Sequence, residues 1–260
     1  MDLNLKDKVI LVSGGAGIPG SIGETIVREI AKEGGIPAIV DRNARGYGME
    51  EELQKQGIDA SFLQTDLTNP DQCQASMEKI IRKYGRIDGL VNNVGVNDGV
   101  SLDASYEAFM DSLKLNLVSY FLLAKYAVPL LKASKGSIVN IGSKVAMTGQ
   151  GGTSGYAAAK GGVLGLTREW AVELLSSQVR VNALVIAECH TPAYDTWLQT
   201  LPNSEEKLKS IADKIPLENR MTRPEEISNM VLFLLSGLSS HTTGQFLFVD
   251  GGYVHLDRAL

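Results

Sequence analysis

Tyr156 and Lys160 are the two side chains whose types and spacing best suit acid–base chemistry, in the stretch YAAAK at residues 156–160. Residues four apart on a helix lie one above the other on the same face. A phenol has a pKa near ~10 in water, and a neighbouring cation stabilises its phenolate. Such a pair can accept and return a substrate proton during hydride transfer. Ser143, thirteen residues before Tyr156, ends an apolar run and can bind the same substrate oxygen.

A glycine-rich stretch upstream, SGGAGIPGSIG at residues 13–23, supports this interpretation. It follows an apolar run and precedes a helical pattern, which is the context that a dinucleotide-binding loop requires. The first N–H groups of a helix and its positive dipole end suit a pyrophosphate. Taken literally, the pattern G-x-G-x-x-G falls on Gly15, Gly17 and Gly20. The alternatives are a glycine turn without a ligand and a Tyr–Lys pair on a plain helix surface.

The start of the following helix favours a different set of glycines. Ser21 and Glu24 match the capping box S-x-x-E, with Ser21 as the N-cap. This start leaves residues 17–19 as a bulge ahead of the cap. We therefore predict that the pyrophosphate is bound by Gly14, Gly20, Ser21, Ile22 and Gly23.

Asp41 indicates which dinucleotide is bound. It ends the second apolar run, 18 residues after Gly23, where an acid binds the adenosine ribose hydroxyls and repels a 2′-phosphate. NAD is therefore the expected cofactor. Arg42 and Arg45 follow directly and could hold that phosphate, so NADP stays an alternative. The segments after the third and fourth runs are expected to line the cofactor through Asp66, Leu67, Asn92, Asn93, Val94 and Gly95.

The elements that must position these residues are short β-branched runs alternating with helical patterns. The predicted strands are Val9–Ser13, Ala38–Asp41, Ser61–Thr65, Gly89–Asn92, Ser137–Ile141, Arg180–Val185 and Gln245–Val249. This alternation predicts a single-domain Rossmann fold of the α/β class over residues 1–260, with a doubly wound, seven-stranded parallel sheet flanked by helices. Ligands are expected at the carboxyl ends of the strands.

Two segments stand out between the strands. Residues 106–132 predict one long helix. Residues 187–219 are irregular and contain His190, Trp197 and several prolines. We interpret this second segment as a substrate-loop insertion, with a surface excursion of no role as the alternative.

Bulk composition excludes several classes of partner. A net charge of −5 over 260 residues, without a basic run, argues against nucleic acid or an anionic membrane as partner. Cys73 and Cys189 are far apart and lack metal-ligand spacing, so a reducing compartment and no metal site are expected. The N-terminus lacks a signal-peptide pattern, and we expect no apolar stretch to approach the ~20 residues of a membrane span. A cytoplasmic protein is expected.

Together these motifs resemble the short-chain dehydrogenase/reductase superfamily over essentially the whole chain. The glycine stretch resembles its T-G-x-x-x-G-x-G loop, lengthened by a few residues and with Ser13 in place of threonine. The turn NNVG resembles its N-N-A-G, and SSHTTGQFLFVDGG resembles its C-terminal strand region. The four catalytic positions of the family fall on Asn116, Ser143, Tyr156 and Lys160.

The resemblance implies a role for each position. Tyr156 would exchange the substrate hydroxyl proton, and Ser143 would hold the substrate oxygen. Lys160 would lower the pKa of Tyr156 and bind the nicotinamide ribose. Tyr156 would also contact the cofactor. Asn116 would support a water in a proton relay. Thr191 would contact the nicotinamide carboxamide or the phosphates.

Residues 89–99, 143–161, 166–174 and 250–260 are similar to bacterial L-fucose dehydrogenases of the D-threo-aldose type. This similarity implies oxidation of the anomeric hydroxyl of an aldose such as L-fucose, L-galactose or D-arabinose to the lactone, with NAD(P) as hydride acceptor. The family's P-G after the sixth strand is replaced by Ile186-Ala187, followed by Glu188. The groups expected to hold the sugar are Asn97, Ser143, Lys144, Gln150, Glu188 and Trp197.

Other interpretations stay open. The chain could reduce another polar carbonyl, such as a keto acid or a 3-oxoacyl thioester. A cofactor-binding protein without catalysis would not need all four catalytic positions. The resemblance also implies a homotetramer packed through residues 106–132, residues 155–175 and the last strand. The tail 253–260, with His255, Asp257 and Arg258, either crosses to a neighbour or frays.

Overall fold

The strands of this chain are short, continuous apolar runs, which is typical of a sheet covered on both faces. In the computed structural model, which describes residues 2–256, they are β1 (Val9–Ser13), β2 (Ile36–Asp41), β3 (Ser61–Gln64), β4 (Gly89–Asn92), β5 (Ser137–Ser143), β6 (Arg180–Ile186) and β7 (Phe246–Val249). They form one parallel sheet in the order β3-β2-β1-β4-β5-β6-β7. The predicted Rossmann-type fold and all seven strands are confirmed, with ends that shift by one or two residues.

Helices connect the strands and cover both faces of the sheet. They are α1 (Ile22–Lys32), α2 (Arg45–Lys55), α3 (Pro70–Tyr84), α4 (Tyr106–Leu113), α5 (Ser119–Ser134), α6 (Ser154–Glu173), α7 (Pro192–Gln199), α8 (Ser204–Ala212) and α9 (Pro224–Leu235). One core layer packs α3, α5 and α6 on the sheet, and the other packs α1, α2 and α9. Alternation along β1 divides it between these layers, with Leu11 in the first and Ile10 in the second.

The strand order reverses between β1 and β4. From β1 the chain proceeds to β2 and β3 on one side, then returns to β4 on the other. The loops after β1 and β4 therefore leave the sheet in opposite directions and open a crevice between them. This crevice lies at the edge where the sequence places its candidate residues.

The long helix predicted over residues 106–132 differs in its middle. Lys114–Val118 forms a π-helical turn between α4 and α5, and such turns occur often at functional sites. The whole helix, Tyr106–Ser134, is 29 residues long and is apolar enough to cross a membrane by length and composition. The expectation that no stretch approaches this length was wrong. Buried residues such as Leu123 and Leu131 pack it into the sheet's core, and the core helix of a globular domain meets the same criteria.

The segment 187–219 forms two short helices, α7 and α8, where the sequence indicated irregular chain. Thr191 caps α7 by accepting a hydrogen bond from the Tyr194 N–H at 3.3 Å, and Pro192 occupies the first turn. Asp257 and Arg258 of the tail lie outside the described residues.

Candidate active site

A cleft of about 380 Å³ opens over the carboxyl ends of the strands, at the point where the strand order reverses. It is lined by Gly14, Gly17, Ser21, Ile22, Gly23, Asp41, Arg42, Thr65, Asp66, Leu67, Asn93, Val94, Gly95, Val96, Leu115, Ile141, Tyr156, Lys160, Ile186 and Thr191. Of the predicted cofactor residues, Gly20 and Asn92 are absent from this lining. The structure thus brings residues from distant parts of the chain to one cleft.

The glycine loop uses the predicted set for its conformation. Gly14 and Gly20 have φ of 66° and 81°, a region that glycine adopts without steric cost. A Cβ on Gly23 would lie 2.1 Å from the carbonyl oxygen of Gly14, so only glycine permits this approach of α1 to the loop. The cleft itself is lined by Gly17 instead of Gly20. Gly17, in the predicted bulge of residues 17–19, therefore contributes to the cleft.

Ser21 is the N-cap of α1, but the predicted capping box is wrong. Its hydroxyl makes no capping hydrogen bond, and its N–H donates to the Ile18 carbonyl at 2.9 Å. Glu24 instead accepts from the Gly20 N–H at 3.2 Å and from Arg28. Because the loop uses the Ser21 N–H, the reciprocal bond of a capping box cannot form.

The Ser21 hydroxyl is buried and has no hydrogen-bond partner within residues 2–256. Such orphaned groups in a native protein call for an explanation, since an unsatisfied polar group is costly. Ser21 lines the cleft at the first turn of α1, where the helix dipole is positive. A pyrophosphate oxygen would satisfy both features, so the loop fits a dinucleotide.

Asp41 and two arginines define the opposite end of the cleft. The Asp41 carboxylate accepts from the Ala16 N–H at 3.0 Å and from the Asn43 N–H at 2.9 Å. Each oxygen keeps a lone pair for a ribose hydroxyl. Arg45 donates to the Gly17 carbonyl at 2.9 Å, which ties it to the loop. Arg42 lines the cleft and is the cation placed to meet a 2′-phosphate.

Two further turns border the cleft. The Asn93 side chain donates to the Ser13 and Gly14 carbonyls at 3.1 and 3.2 Å, which fixes the β4 turn against the glycine loop. Hydrogen bonds from Thr68 lower the pKa of Asp66, so this carboxylate stays ionised at the cleft. Asn92 points into the sheet and donates to Asn140 at 2.9 Å, and it does not line the cleft as expected.

The catalytic candidates converge at the inner end. Tyr156 and Lys160 share one face of α6 and both line the cleft. Ser143 is the last residue of β5 and lies close enough to lower the pKa of Tyr156 by hydrogen bonding. The Lys160 Nζ lies 5.6 Å from the centre of the Tyr156 ring, and no direct hydrogen bond joins the two side chains.

The family resemblance implies a lowered pKa for Tyr156, but burial shifts this pKa in the opposite direction. It raises the pKa of Tyr156 to about 12, with the Ser143 hydroxyl opposing the shift. It lowers the pKa of Lys160 to about 7. Residue spacing does not report desolvation, which penalises both charged forms. At neutral pH the phenol is therefore protonated, and Lys160 is divided between ammonium and amine.

Asn116 is supplied by the π-helical turn. Its Oδ1 accepts from the Val96 N–H at 2.8 Å, and its Nδ2 donates to the Ser112 carbonyl at 3.1 Å. A Cβ on Gly95 would lie 3.0 Å from Oδ1 and 3.3 Å from the Lys160 Nζ, so glycine keeps this space open. Asn116 thus lies near Lys160, while its role in a water relay stays a prediction.

The predicted substrate residues do not line the cleft, and they fall into two groups. Lys144 and Glu188 form an ion pair, and the Tyr194 hydroxyl donates to the second Glu188 oxygen at 2.9 Å. The Lys144 Nζ also lies 4.4 Å from the centre of the Tyr253 ring. Trp197 packs edge-to-face on Tyr194, with ring centres 5.2 Å apart. Asn97 and Gln150 are exposed and lie in loops.

Sequence reasoning missed four apolar lining residues, the lining residue Thr65 and the buried Tyr120. Val96, Leu115, Ile141 and Ile186 line the same cleft as Tyr156 and Lys160. Apolar residues at strand and helix ends have the pattern of ordinary core, so nothing in the sequence separated them from it. Tyr120 is fully buried and contacts Lys160, and its place in α5 gave no signal either.

Comparisons with known proteins agree with this arrangement. Residues 15–254 match the family model described as enoyl-(acyl carrier protein) reductase. The 3-oxoacyl-[acyl-carrier-protein] reductase of Thermotoga maritima is 36% identical over 257 residues, which cover 97% of this chain and all of the relative.

Solved structures extend the agreement to the whole fold. Cj0485 dehydrogenase has a TM-score of 0.95 and 46% identity, over all of this chain and 99% of the other. The ligand-free aldohexose dehydrogenase of Thermoplasma acidophilum has a TM-score of 0.89 and 29% identity, over 100% and 99%. The L-sorbose reductase of Gluconobacter frateurii, complexed with NADPH and L-sorbose, has a TM-score of 0.93 and 26% identity, over 99% and 100%.

Proposed function

Because the chain belongs to the short-chain dehydrogenase/reductase family, we propose that this NAD(P)-dependent oxidoreductase oxidises the anomeric hydroxyl of an aldopyranose to the lactone. L-fucose is the proposed substrate, with L-galactose and D-arabinose as close analogues. The single observation that carries the proposal is the cluster Lys144, Glu188 and Tyr194, which begins one residue after Ser143.

The cluster suits a polyhydroxyl ring on chemical grounds. A site with charged and hydroxyl groups can pair each sugar hydroxyl, whereas an apolar substrate would leave those groups unsatisfied. A 3-oxoacyl chain would instead favour a predominantly apolar pocket. Two of the structural neighbours act on sugars by their names, an aldohexose dehydrogenase and an L-sorbose reductase. These similarities support the proposal.

The residues divide the reaction between them. Ser143 holds the anomeric oxygen, and Tyr156 takes its proton as the carbonyl forms. Lys160 favours the phenolate when it carries a positive charge, because an opposite charge nearby stabilises the ionised form. The bound nicotinamide supplies the acceptor for the hydride that leaves the anomeric carbon. Glu188 and Lys144 hold the remaining hydroxyls, so the anomeric carbon is presented to the cleft.

NAD is the proposed cofactor. The support is Asp41, whose carboxylate lines the adenosine end of the cleft. It would accept hydrogen bonds from the ribose hydroxyls and repel a 2′-phosphate. Arg42 beside it and the NADPH complex of the L-sorbose reductase favour NADP as the alternative.

A second candidate activity is reduction of a 3-oxoacyl thioester or a keto acid, favoured by the name of the Thermotoga relative. One substrate panel separates the two activities. NAD and NADP reduction is followed with the three aldoses, and NADH and NADPH oxidation is followed with an acetoacetyl thioester and a keto acid. The proposal predicts the highest kcat/KM for an aldose with NAD. Turnover of the thioester alone would overturn it.

We also propose a homotetramer in the cytoplasm. The exposed apolar side chains Val118, Phe121 and Val172 lie on α5, α6 and the turn before α5, the surfaces that the family resemblance assigns to subunit contacts. Burying them against a second copy would remove apolar area from water. Light scattering coupled to size exclusion should give four times the 28.0 kDa chain mass, and a monomer at micromolar concentration would contradict the proposal.

A further inference from the structure

The surroundings of Lys160 provide little electrostatic stabilisation for its ammonium. It is fully buried, and no carboxylate among residues 2–256 forms an ion pair with it. Its Nζ donates two hydrogen bonds to neutral oxygens, to the Tyr120 hydroxyl at 2.9 Å and to the Ile141 carbonyl at 2.8 Å. An ammonium has three N–H donors, so one remains for the cleft.

Tyr120 completes a closed triangle with these two groups. Its hydroxyl donates to the same Ile141 carbonyl at 3.1 Å, which directs the lone pairs of its oxygen towards the lysine. Its ring centre lies 4.9 Å from Nζ, within reach of a cation–π contact. Burial raises the pKa of Tyr120 well above its usual range, so the hydroxyl stays neutral and acts only as donor and acceptor.

We propose that Tyr120 is a positioning residue for catalysis: its hydroxyl holds the Lys160 ammonium on the Ile141 carbonyl beside Tyr156. Tyr120 touches neither substrate nor cleft and acts through the lysine alone. The proposal rests on the family's acid–base chemistry and is independent of which substrate the enzyme uses.

The consequence follows from which protonation states contain the ammonium. Activity requires the phenolate of Tyr156 beside the ammonium of Lys160. Removing the Tyr120 hydroxyl destabilises every state with an ammonium by the same amount, including the fully protonated state that dominates at low pH. The rate at low pH is therefore unchanged. At higher pH, where phenol and amine dominate, the active state is depleted. The midpoint of the acidic limb of the kcat–pH profile should therefore move to lower pH. The size of this shift in pH units should equal the logarithm of the factor by which the plateau value of kcat falls.

The test is Tyr120→Phe, which removes the oxygen and keeps the ring. A hydrogen bond to a charged group is worth at least one pKa unit, so we expect an approximately tenfold lower plateau and a downward shift of about one pH unit in the acidic limb. Tyr84→Phe is the matched control, because the Tyr84 hydroxyl also lies beside a lysine and bonds Ser61 at 2.8 Å, remote from the cleft. Tyr120→Met serves if the phenylalanine variant folds poorly.

The titration of Lys160 provides a readout that needs no substrate. In protein labelled with ¹³Cε-lysine, the Lys160 resonance, assigned by its loss in Lys160→Arg, should titrate about one unit lower in Tyr120→Phe than in wild type or Tyr84→Phe. An unshifted titration overturns the proposal, as does a kcat profile that is scaled down at all pH values. If no aldose is oxidised, the proposed substrate fails while the lysine titration still decides the role of Tyr120.

Discussion

Glu188→Gln is the substitution that best separates a sugar-binding role from a structural one. The native carboxylate bonds Lys144 and Tyr194, and the side chains of the ion pair are only 10% and 15% exposed. Glutamine keeps an oxygen for Tyr194 but removes the negative charge. The lysine then stays in a poorly solvated place with the Tyr253 ring, 4.4 Å from its Nζ, as one remaining contact.

The cost can be worked out from these contacts. Breaking a buried ion pair on one side costs ~3–5 kcal/mol, and the cation–π contact that remains offsets ~1–2 kcal/mol of this. We expect a loss of about 2 kcal/mol in the free energy of unfolding, which for a chain of this size lowers Tm by ~4–8 °C. A sugar hydroxyl that loses a charged acceptor forfeits ~1.5 kcal/mol, or about tenfold in the KM for L-fucose.

The assay compares KM for L-fucose and for NAD, together with thermal unfolding by circular dichroism. Glu51→Gln is the control, because Glu51 pairs with Lys55 at 2.7 Å and both side chains are exposed. This exposed pair should affect stability by less than ~1 kcal/mol and leave both KM values unchanged. An equal rise in the KM of L-fucose and NAD for Glu188→Gln would mark a general defect, and unchanged KM values would remove Glu188 from the sugar site.

Three further predictions concern the cofactor, the insertion and the thiols. Asp41→Ala should lower the NAD/NADP ratio of kcat/KM by at least tenfold, since it removes an acceptor for the ribose hydroxyls; a constant ratio would discard this role. Trp197→Ala should raise the KM for L-fucose severalfold and spare that for NAD, and equal effects would indicate a folding defect of the insertion. Burial raises the pKa of Cys73 to about 11 and that of Cys189 to about 12, so neither thiol should react with a disulfide reagent at pH 8 until the protein unfolds, and rapid modification of native protein would refute this.

The seven strands and the residues at their ends were predictable, because hydrophobic periodicity and strand ends are local properties of the sequence. Asp41 and Ser143 could be placed at strand ends by counting, and parallel strands bring their carboxyl ends to one edge. Tyr156 and Lys160 could be placed on one face by helix geometry alone. The Ser21 N-cap of α1 was also predicted, although the capping box that indicated it is absent.

What the sequence could not predict depends on contacts between distant segments. Within residues 2–256 the Ser21 hydroxyl has no hydrogen-bond partner, while the Ser21 N–H bonds the loop carbonyl at Ile18. The raised pKa of Tyr156 is a matter of burial, which no spacing encodes. The contact of Tyr120 with Lys160 spans 40 residues. The exposed positions of Asn97 and Gln150 depend on loop geometry that polarity alone does not determine.

The most direct test of the proposed reaction is the fate of the anomeric hydrogen. L-fucose carrying deuterium at carbon 1 is incubated with the enzyme and NAD, and the reduced nicotinamide and the sugar product are analysed by NMR and mass spectrometry. We expect one deuterium in each reduced nicotinamide, the lactone as product, and loss of the reaction in Tyr156→Phe. Reduced nicotinamide without deuterium, or undiminished turnover by Tyr156→Phe, would contradict it.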